Sequence, residues 1–466
     1  MPLLDEHDGR RLIGIRKSRR VGNVMFGLLM AASMRFPSAV FAREPFSLKD
    51  AYESAVHYDA QLLGADADRA ISKEEVKKAK SAFLPNVRAS SSRGRNRTES
   101  ITPYSHNYGQ YYSTLSSSLS LKQPLFNMGS IAMYKQAKAE EAKSESLFRN
   151  EHFSLIVRTA ELFCNVLYSE ENIEFTRAQT KAAQEQLEQS KRKYRNGFGT
   201  ITEISESQAS YDMSVADEAN SIAILEYNRR ELERVTGVYA ETLYRLQPQK
   251  LLLTAPEPRN IEAWVAMARE NNSKVSAARK EIEIARREVD KSRASRYPVV
   301  DLWAGRSYSM SEDNYTIGST YNTYSFSVQV SVPIYTGGYT SALIRQSKVR
   351  QIKANEELNQ QERAVLSDVR KFFNGQLNSI AQVKAYEQAV RSNEIAVEGT
   401  KKGFLAGFRS NVDVLEAQKK LLESRRSLAK ARYEYILDRL MLKESAGILT
   451  PEDIDEVNTY FVASRP

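Results

Sequence analysis

Four segments of this chain have the length at which a tilted strand crosses a bilayer, one of them alternating apolar with polar residues without a break, and that count constrains the fold more than any other feature. The plainest is TYSFSVQVSVPI, which places Tyr324, Phe326, Val328, Val330 and Val332 on one face and Thr323, Ser325, Ser327, Gln329 and Ser331 on the other. A period of two marks a strand with one oily side. The quoted strand is taken as 321–334, with companions at 86–97, 113–125 and 299–308, each near the roughly 9–11 residues that a membrane-crossing strand needs. Four strands cannot close a barrel, whose smallest common form has about eight. An open edge in lipid would leave backbone N–H and C=O groups unpaired, at several kcal/mol each. The chain must therefore pool its strands with copies of itself. Two copies supply eight and three supply twelve, and periodicity does not choose between them.

The rest of the chain is a tandem duplication. Segment 47–85 aligns with 260–298 at an offset of 213, PLFNMG at 124–129 with PIYTGG at 333–338 at 209, and Tyr194–Phe198 with Phe404–Phe408 at 210; Gly237 and Gly447 keep the last offset. A period near 210 is far longer than a solenoid unit, so it denotes two copies of one large module. The expected organisation is a leader at 1–42, a first repeat at 43–246, a proline-bearing linker at 247–259, a second repeat at 260–449 and a tail at 450–466. Each repeat reads helix, strand, strand, long helix, turn, helix. Ser47 and Asn260 suit the N-cap of the first helix, and Pro85 and Pro298 end it, because a prolyl ring disfavours helix in the residue before it.

A helix of about 68 residues at 129–196, with its counterpart at 338–406, would run roughly 100 Å at 1.5 Å per residue. Such a helix needs neighbours along most of its length. In the last helix Val414, Leu421, Leu428, Tyr435 and Leu442 recur at sevens, as do Leu415, Leu422, Ala429 and Ile436. A strict heptad implies a left-handed supercoil, and two adjacent stripes imply two neighbours, as in the wall of a cylinder. Aromatic residues gather at both strand ends: Phe83, Phe126, Tyr297 and Tyr335 at one, and Tyr104, Tyr108, Tyr111, Tyr112, Tyr315 and Tyr321 toward the other. Paired girdles are the pattern of a spanning barrel. On the first strand Arg93, Arg95 and Arg97 share a face, which reads as a basic pore rim, a contact with anionic lipopolysaccharide, or a solvated loop end.

The N-terminus carries Arg16, Lys17, Arg19 and Arg20, then an apolar run at 24–34, then Ser38-Ala-Val-Phe-Ala42 with small residues at the two positions a signal peptidase reads. Cleavage after Ala42 leaves a net charge of +5, which argues against nucleic acid as a partner. The single cysteine, Cys164, allows no intrachain disulfide and fits a bacterial envelope protein exported without one. An enzyme is not indicated: His7, His57, His106 and His152 show no metal-ligand spacing, and no phosphate loop or nucleophile elbow is present. His152 reads as a surface residue. No cofactor or metal is expected.

PLFNMG and PIYTGG after each hairpin, with GFLAGFRSNVDVLEAQ at 403–418 and ARYEYILDRLMLKESAGIL at 431–449, resemble the TolC family of outer-membrane exit ducts, over nearly all of 43–450. The resemblance implies a mainly α fold with a transmembrane β-barrel portion. Three chains would pool four strands each into a twelve-stranded barrel, continued through the periplasm by an α-helical barrel of long antiparallel coiled coils. It also implies an outer-membrane location reaching into the periplasm, a homotrimer, and partners in a periplasmic adaptor and an inner-membrane transporter, for efflux or type I secretion. Gly197, Gly199 and Gly407 would close the helical hairpins by supplying positive φ, with Thr200 and Glu203 forming a capping box. By resemblance this end is a closed iris: Asp413 and Glu416 ring the aperture, while Arg409, Thr202 and Glu203 tie neighbouring hairpins. Phe404 stands where better-known relatives carry a tyrosine, so one hydroxyl tie is missing or replaced. The rival reading is an elongated periplasmic coiled-coil scaffold without a pore, which would bury both faces of its strands.

Overall fold

The computed structural model describes the backbone of residues 45–312 and 318–463, with their side chains except at 100–102, 105–108, 110, 405 and 411. The expected leader at 1–42, Tyr315 and the Tyr108 side chain lie outside the described residues. The first repeat runs α1 (Leu48–Tyr58), α2 (Ala60–Ser81), β1 (Asn86–Thr102), β2 (Ser105–Phe126), α3 (Met128–Arg195) and α4 (Ile201–Thr236), followed by β3 (Arg245–Leu246). The second runs α5 (Ile261–Asn271), α6 (Ser273–Ala294), β4 (Val299–Ser311), β5 (Ser319–Ser331), α7 (Tyr339–Leu405) and α8 (Asn411–Ala446), followed by α9 (Pro451–Asn458) and β6 (Phe461–Val462).

Three expectations are corrected. The first helix of each repeat is two helices. Asp59 Oδ1 accepts from the Leu62 N–H at 2.9 Å, and Asn272 Oδ1 accepts from the Lys274 and Val275 N–H groups at 2.9 and 3.2 Å. A short polar side chain that caps the next helix while its own backbone stays extended breaks the run, and the two breaks keep the offset of 213. The first hairpin is longer than expected, since pairing continues from Asn86↔Lys122 to Thr102↔Ser105 with one register shift between Thr98 and Ser100. Val332 lies beyond β5, whose last pair is Val299↔Ser331. Prolines at 298 and 333 flank that pair, and a residue without an N–H cannot extend the ladder.

Both layers have the same order. The four long strands form one antiparallel sheet, β1-β2-β4-β5. Among the helices, α3 packs between α2 and α4 on one side and α6 and α8 on the other, and α7 packs against α6 and α8. The layer is thus four columns, α2 with α4, α3, α6 with α8, and α7, in the order of the strands they follow or precede. Each layer ends without a neighbour at the same two places. β5 is exposed along nearly its whole length on both faces, whereas β4 between its neighbours is not.

The core forms where α1, α3, α4 and α8 meet. Leu155, Phe163, Leu167, Leu232, Ile436 and Leu440 are buried there with Ile454, Val457 and Phe461, so the segment expected as a tail folds in, with Phe461 edge-on to Phe163 at 5.4 Å. The linker is held by Tyr435, whose hydroxyl accepts from the Thr254 N–H and donates to the Leu252 carbonyl, both at 2.9 Å. Of the two heptad stripes, Val414, Leu428, Tyr435, Leu442, Ala429 and Ile436 are buried. Leu421, Leu415 and Leu422 are only half-buried, and the last two face a cleft described below. His152 is corrected from surface residue to contact: its Nε2 lies 2.9 Å from the Tyr52 hydroxyl.

One partly buried acid makes the core pH-sensitive. Tyr433 donates to Glu171 Oε1 at 2.6 Å, and burial raises the Glu171 carboxyl above its ordinary range despite that bond and Arg432. A raised folded-state value means the native state holds its proton more tightly. The stability this contributes is complete below the ordinary glutamate range and lost as pH rises through the elevated value. Glu171→Gln is therefore expected to raise the melting temperature at pH 7 and leave it unchanged near pH 4, as read by thermal denaturation at the two pH values.

Candidate functional site

The two helical hairpins end in turns of one design. In the first, α3 stops at Arg195 and Gly197 takes φ +80°; the Phe198 N–H then returns to the Lys193 carbonyl at 3.0 Å. In the second, Gly407 takes φ +79° and the Phe408 N–H returns to the Gly403 carbonyl at 2.9 Å. These conformations are open to glycine at no steric cost. Gly199 is corrected: its φ is not positive, and it is needed for space, because a Cβ there would stand 2.9 Å from the Tyr194 nitrogen. Thr200 and Glu203 form the expected capping box. A second box, not anticipated from the sequence, joins Ser410 and Asp413: the Ser410 N–H donates to Asp413 Oδ2 at 2.8 Å and the Asp413 N–H to Ser410 Oγ at 3.1 Å. The S-x-x-D spacing carried that signal.

This box sets the electrostatics of Asp413. The Ser410 N–H and then the Ser410 hydroxyl hold its carboxyl below the usual aspartate range, and Arg409 adds to the effect. Asp413 is therefore an anion at any physiological pH. Glu416, one turn on, is exposed and lies 4.0 Å from Lys420. Arg409 lies along Gly403, where a Cβ would meet its Cγ at 2.9 Å.

Between the two hairpins near these turns is a cleft of about 430 Å³, and Glu203, Phe404, Arg409 and Glu416 all line it. The fold thus brings together four of the six residues singled out for an iris. Asp413 caps α8 beside the cleft and Thr202 is exposed on α4, neither among the lining residues. Leu415 and Leu422 face the same cleft, which explains their partial exposure. Two features escaped the sequence. Lys193 places its Nζ 4.9 Å from the centre of the Phe404 ring, a cation–π contact from one hairpin to the other. Phe198 and Phe408 project from the turns, 87% and 88% exposed; their repetition 210 residues apart in Gly-Phe turns was the available signal.

At the opposite end the apolar face of β5 has no cover: Tyr324, Phe326, Val328 and Val330 are each more than half exposed. The register extends that face across the sheet to Leu302, Leu119, Leu121 and Val87. The other face is polar, with hydrogen-bonded Ser90 and Ser118 hydroxyls and a Lys122–Asp301 ion pair at 2.9 Å. Among the described residues no helix is long and apolar enough to cross a membrane, and no group of three or more His, Cys, Asp or Glu side chains is placed to hold a metal ion.

Comparison with known proteins gives a consistent answer. The profile of a family described as outer membrane efflux protein matches residues 51–238 and again 264–447, once per repeat. The chain is 31% identical to the alkaline protease secretion protein AprF of Pseudomonas aeruginosa, covering 90% of this chain and 88% of that one. It is 32% identical to the outer membrane protein TolC of Vibrio cholerae, over 92% and 96%, and 29% identical to TolC of Escherichia coli, over 88% and 84%. Among solved structures, the outer membrane protein VceC of Vibrio cholerae superposes with a TM-score of 0.71 at 18% identity, over 86% of this chain and 96% of that one. The CmeC outer membrane channel of Campylobacter jejuni does so at 0.74 and 14%, over 89% of each. At these identities the structural likeness speaks to the fold.

Proposed function

The chain belongs to the outer membrane efflux protein family, and from that premise we propose that three copies assemble into one exit duct. It is an outer-membrane channel of the kind that serves efflux and type I secretion, not an enzyme. In the assembly, each copy gives four strands to a twelve-stranded barrel and its helical columns to a periplasmic tube. The observation that carries this reading is the coincidence of open edges. β1 and β5 end the sheet where α2 with α4 and α7 end the helical layer, so one rotation between copies closes both at once. Because β1 and β5 run in opposite directions in an antiparallel order of four, their pairing across copies is antiparallel for any number of copies. Exposed apolar side chains at the helical edges, Met213 and Tyr227 on α4 and Val349 and Ile395 on α7, fit burial between copies.

In this reading Tyr324, Phe326, Val328 and Val330 face lipid. The hairpin turns form the gate: Asp413 and Glu416 supply a cation-attracting ring, while Arg409, Thr202 and Glu203 act between neighbouring hairpins. The Lys193–Phe404 contact stands in for the absent tyrosine hydroxyl as a tie between hairpins. Phe198 and Phe408 are exposed at the tips, suited to docking a periplasmic adaptor, which in turn would join an inner-membrane transporter. A pore-free scaffold would need a cover over β5, and its apolar face has none.

The test is a nitroxide scan along β5, residues 324–330, in lipid, with the detergent-solubilised protein weighed in parallel. Accessibility to oxygen should peak at even positions and accessibility to a water-soluble nickel chelate at odd ones, and the mass should be that of three chains. Buried Cys164 escapes labelling. A monomer that stays soluble without detergent, with no alternation, would overturn the proposal.

A further inference from the structure

The row Arg93, Arg95 and Arg97 stays open as a sequence feature, because the sequence does not say which face of the sheet it occupies. The register does. Arg93 pairs with Leu115, Arg95 with Ser113 and Arg97 with Tyr111; Leu115 pairs with Met310 and Met310 with Thr320. In an antiparallel sheet directly paired residues share a face, and Thr320 shares parity with Tyr324, Phe326, Val328 and Val330. The arginines therefore lie on the apolar face, not on the polar face that would line a pore.

Depth follows from the same register. From Val330 to Thr320 is ten residues, about 33 Å along a strand and, at a tilt near 40°, about 25 Å along the membrane normal, the height of a barrel's apolar band. Arg93 is level with Thr320, so the row begins where that band ends. Arg306 belongs to the same face two same-face positions inside it, opposite Tyr324, about 10 Å along the normal at the same rise and tilt. Its Nε donates to Asn322 Oδ1 at 3.1 Å, which turns the guanidinium toward the rim, as a long cationic side chain does at an interface. Arg93, Arg95, Arg97 and Arg306 are exposed, and Arg97 stacks over the Tyr111 ring at 5.6 Å. Two acids share the rim among the described residues. Glu99 is exposed; Glu312 accepts from the Ser113 N–H at 3.0 Å and lies within electrostatic reach of Arg93 and Arg95. Four guanidinium groups against two carboxylates leave the rim positive.

Resting on the lipid-facing reading above, we propose that this outward rim, remote from the helices, binds the phosphate groups of an anionic membrane lipid, with Arg93 and Arg95 as principal contacts and Arg306 and Arg97 flanking. Guanidinium is the side chain suited to phosphate oxygens through paired N–H donors. An apolar band directly below would receive the acyl chains of the same molecule, a combination that free phosphate cannot use. The occupant is therefore a lipid, and lipid A is the probe.

The experiment measures lipid A retained by the purified protein in nanodiscs of zwitterionic lipid, for the native chain and for an Arg93→Gln/Arg95→Gln double variant. Both also carry a nitroxide at V328C to report membrane seating. Retention is expected to fall about tenfold in the double variant, and about as much when dephosphorylated lipid A replaces lipid A, since each basic residue near an anionic surface contributes on the order of a factor of several. Equal retention by both proteins with the nitroxide still oxygen-accessible overturns the headgroup site alone. Competition by inorganic phosphate as strong as by lipid A overturns the lipid as occupant. A nitroxide that is not oxygen-accessible overturns the lipid-facing reading and this site with it.

Discussion

Replacing Gly447 with alanine is expected to abolish the stably folded protein. Gly447 ends α8 at φ +73°, a conformation that costs an alanine roughly 1–2 kcal/mol. The larger effect is steric. A Cβ at this position would stand 2.5 Å from both the carbonyl carbon and oxygen of Asn271 and 2.6 Å from the Asn272 nitrogen. These are backbone atoms at the junction of α5 and α6, and no rotamer change relieves the overlap. The junction is fixed from its own side as well: Asn272 caps α6 and its Nδ2 donates to the Ser445 carbonyl at 2.9 Å. Around it, Trp264, Val265, Val275, Val369 and Leu442 are packed in a small core, so any shift that admits the methyl group opens cavities there. A loss above about 4 kcal/mol is the scale for combined strain and core disruption. Outer-membrane yield and thermal denaturation in detergent read it. The control is Gly64→Ala in α2, where no atom lies within 4 Å of the added carbon and a helical alanine is favoured by about 1 kcal/mol. If both variants melt like the parent, α8 does not approach the α5–α6 junction as described.

Arg409→Ala should raise single-channel conductance in planar bilayers by shifting the closed duct toward open. In the proposed trimer three copies of Arg409 act together. At about 1 kcal/mol for each exposed contact, their loss shifts the closed-to-open ratio by roughly 100-fold. Block by divalent cations tests the acidic ring separately. Asp413→Ala should weaken block, but it also removes the capping partner of Ser410, so a change could reflect a frayed helix. Asp413→Asn separates the two effects, because an amide oxygen still accepts from the Ser410 N–H while the charge is gone. Weakened block in both variants assigns the effect to charge, and block preserved in Asp413→Asn removes Asp413 from the ring. Unchanged conductance in Arg409→Ala would leave the turns as ordinary helix ends.

Parts of this site are local in sequence and could be read there. Gly197 and Gly407 follow helix ends, and Thr200 with Glu203 spans one turn, so short-range spacing suffices. The Ser410–Asp413 box obeys the same spacing. The Lys193–Phe404 contact is of another kind. The two residues are separated by 211 positions and meet only because the hairpins pack side by side; nothing near either residue signals it. Gly199 shows a third case: the sequence suggests backbone freedom, and the actual constraint is the proximity of the Tyr194 nitrogen, a distance that exists only once the turn has formed.

The sequence by itself determined the duplication, the oily and polar faces of the 323–334 strand, the caps at Ser47, Asn260 and Thr200 and the shortage of strands, because each depends on periodicity or on contacts a few residues apart. Tertiary structure alone decided that sheet and helical layer share one column order with matching open edges. It also decided that the C-terminal segment joins the core, and that the arginine row shares the apolar face of the sheet. Those facts depend on register and on packing between segments some two hundred residues apart, where a shift of one residue in pairing exchanges the two faces of a strand.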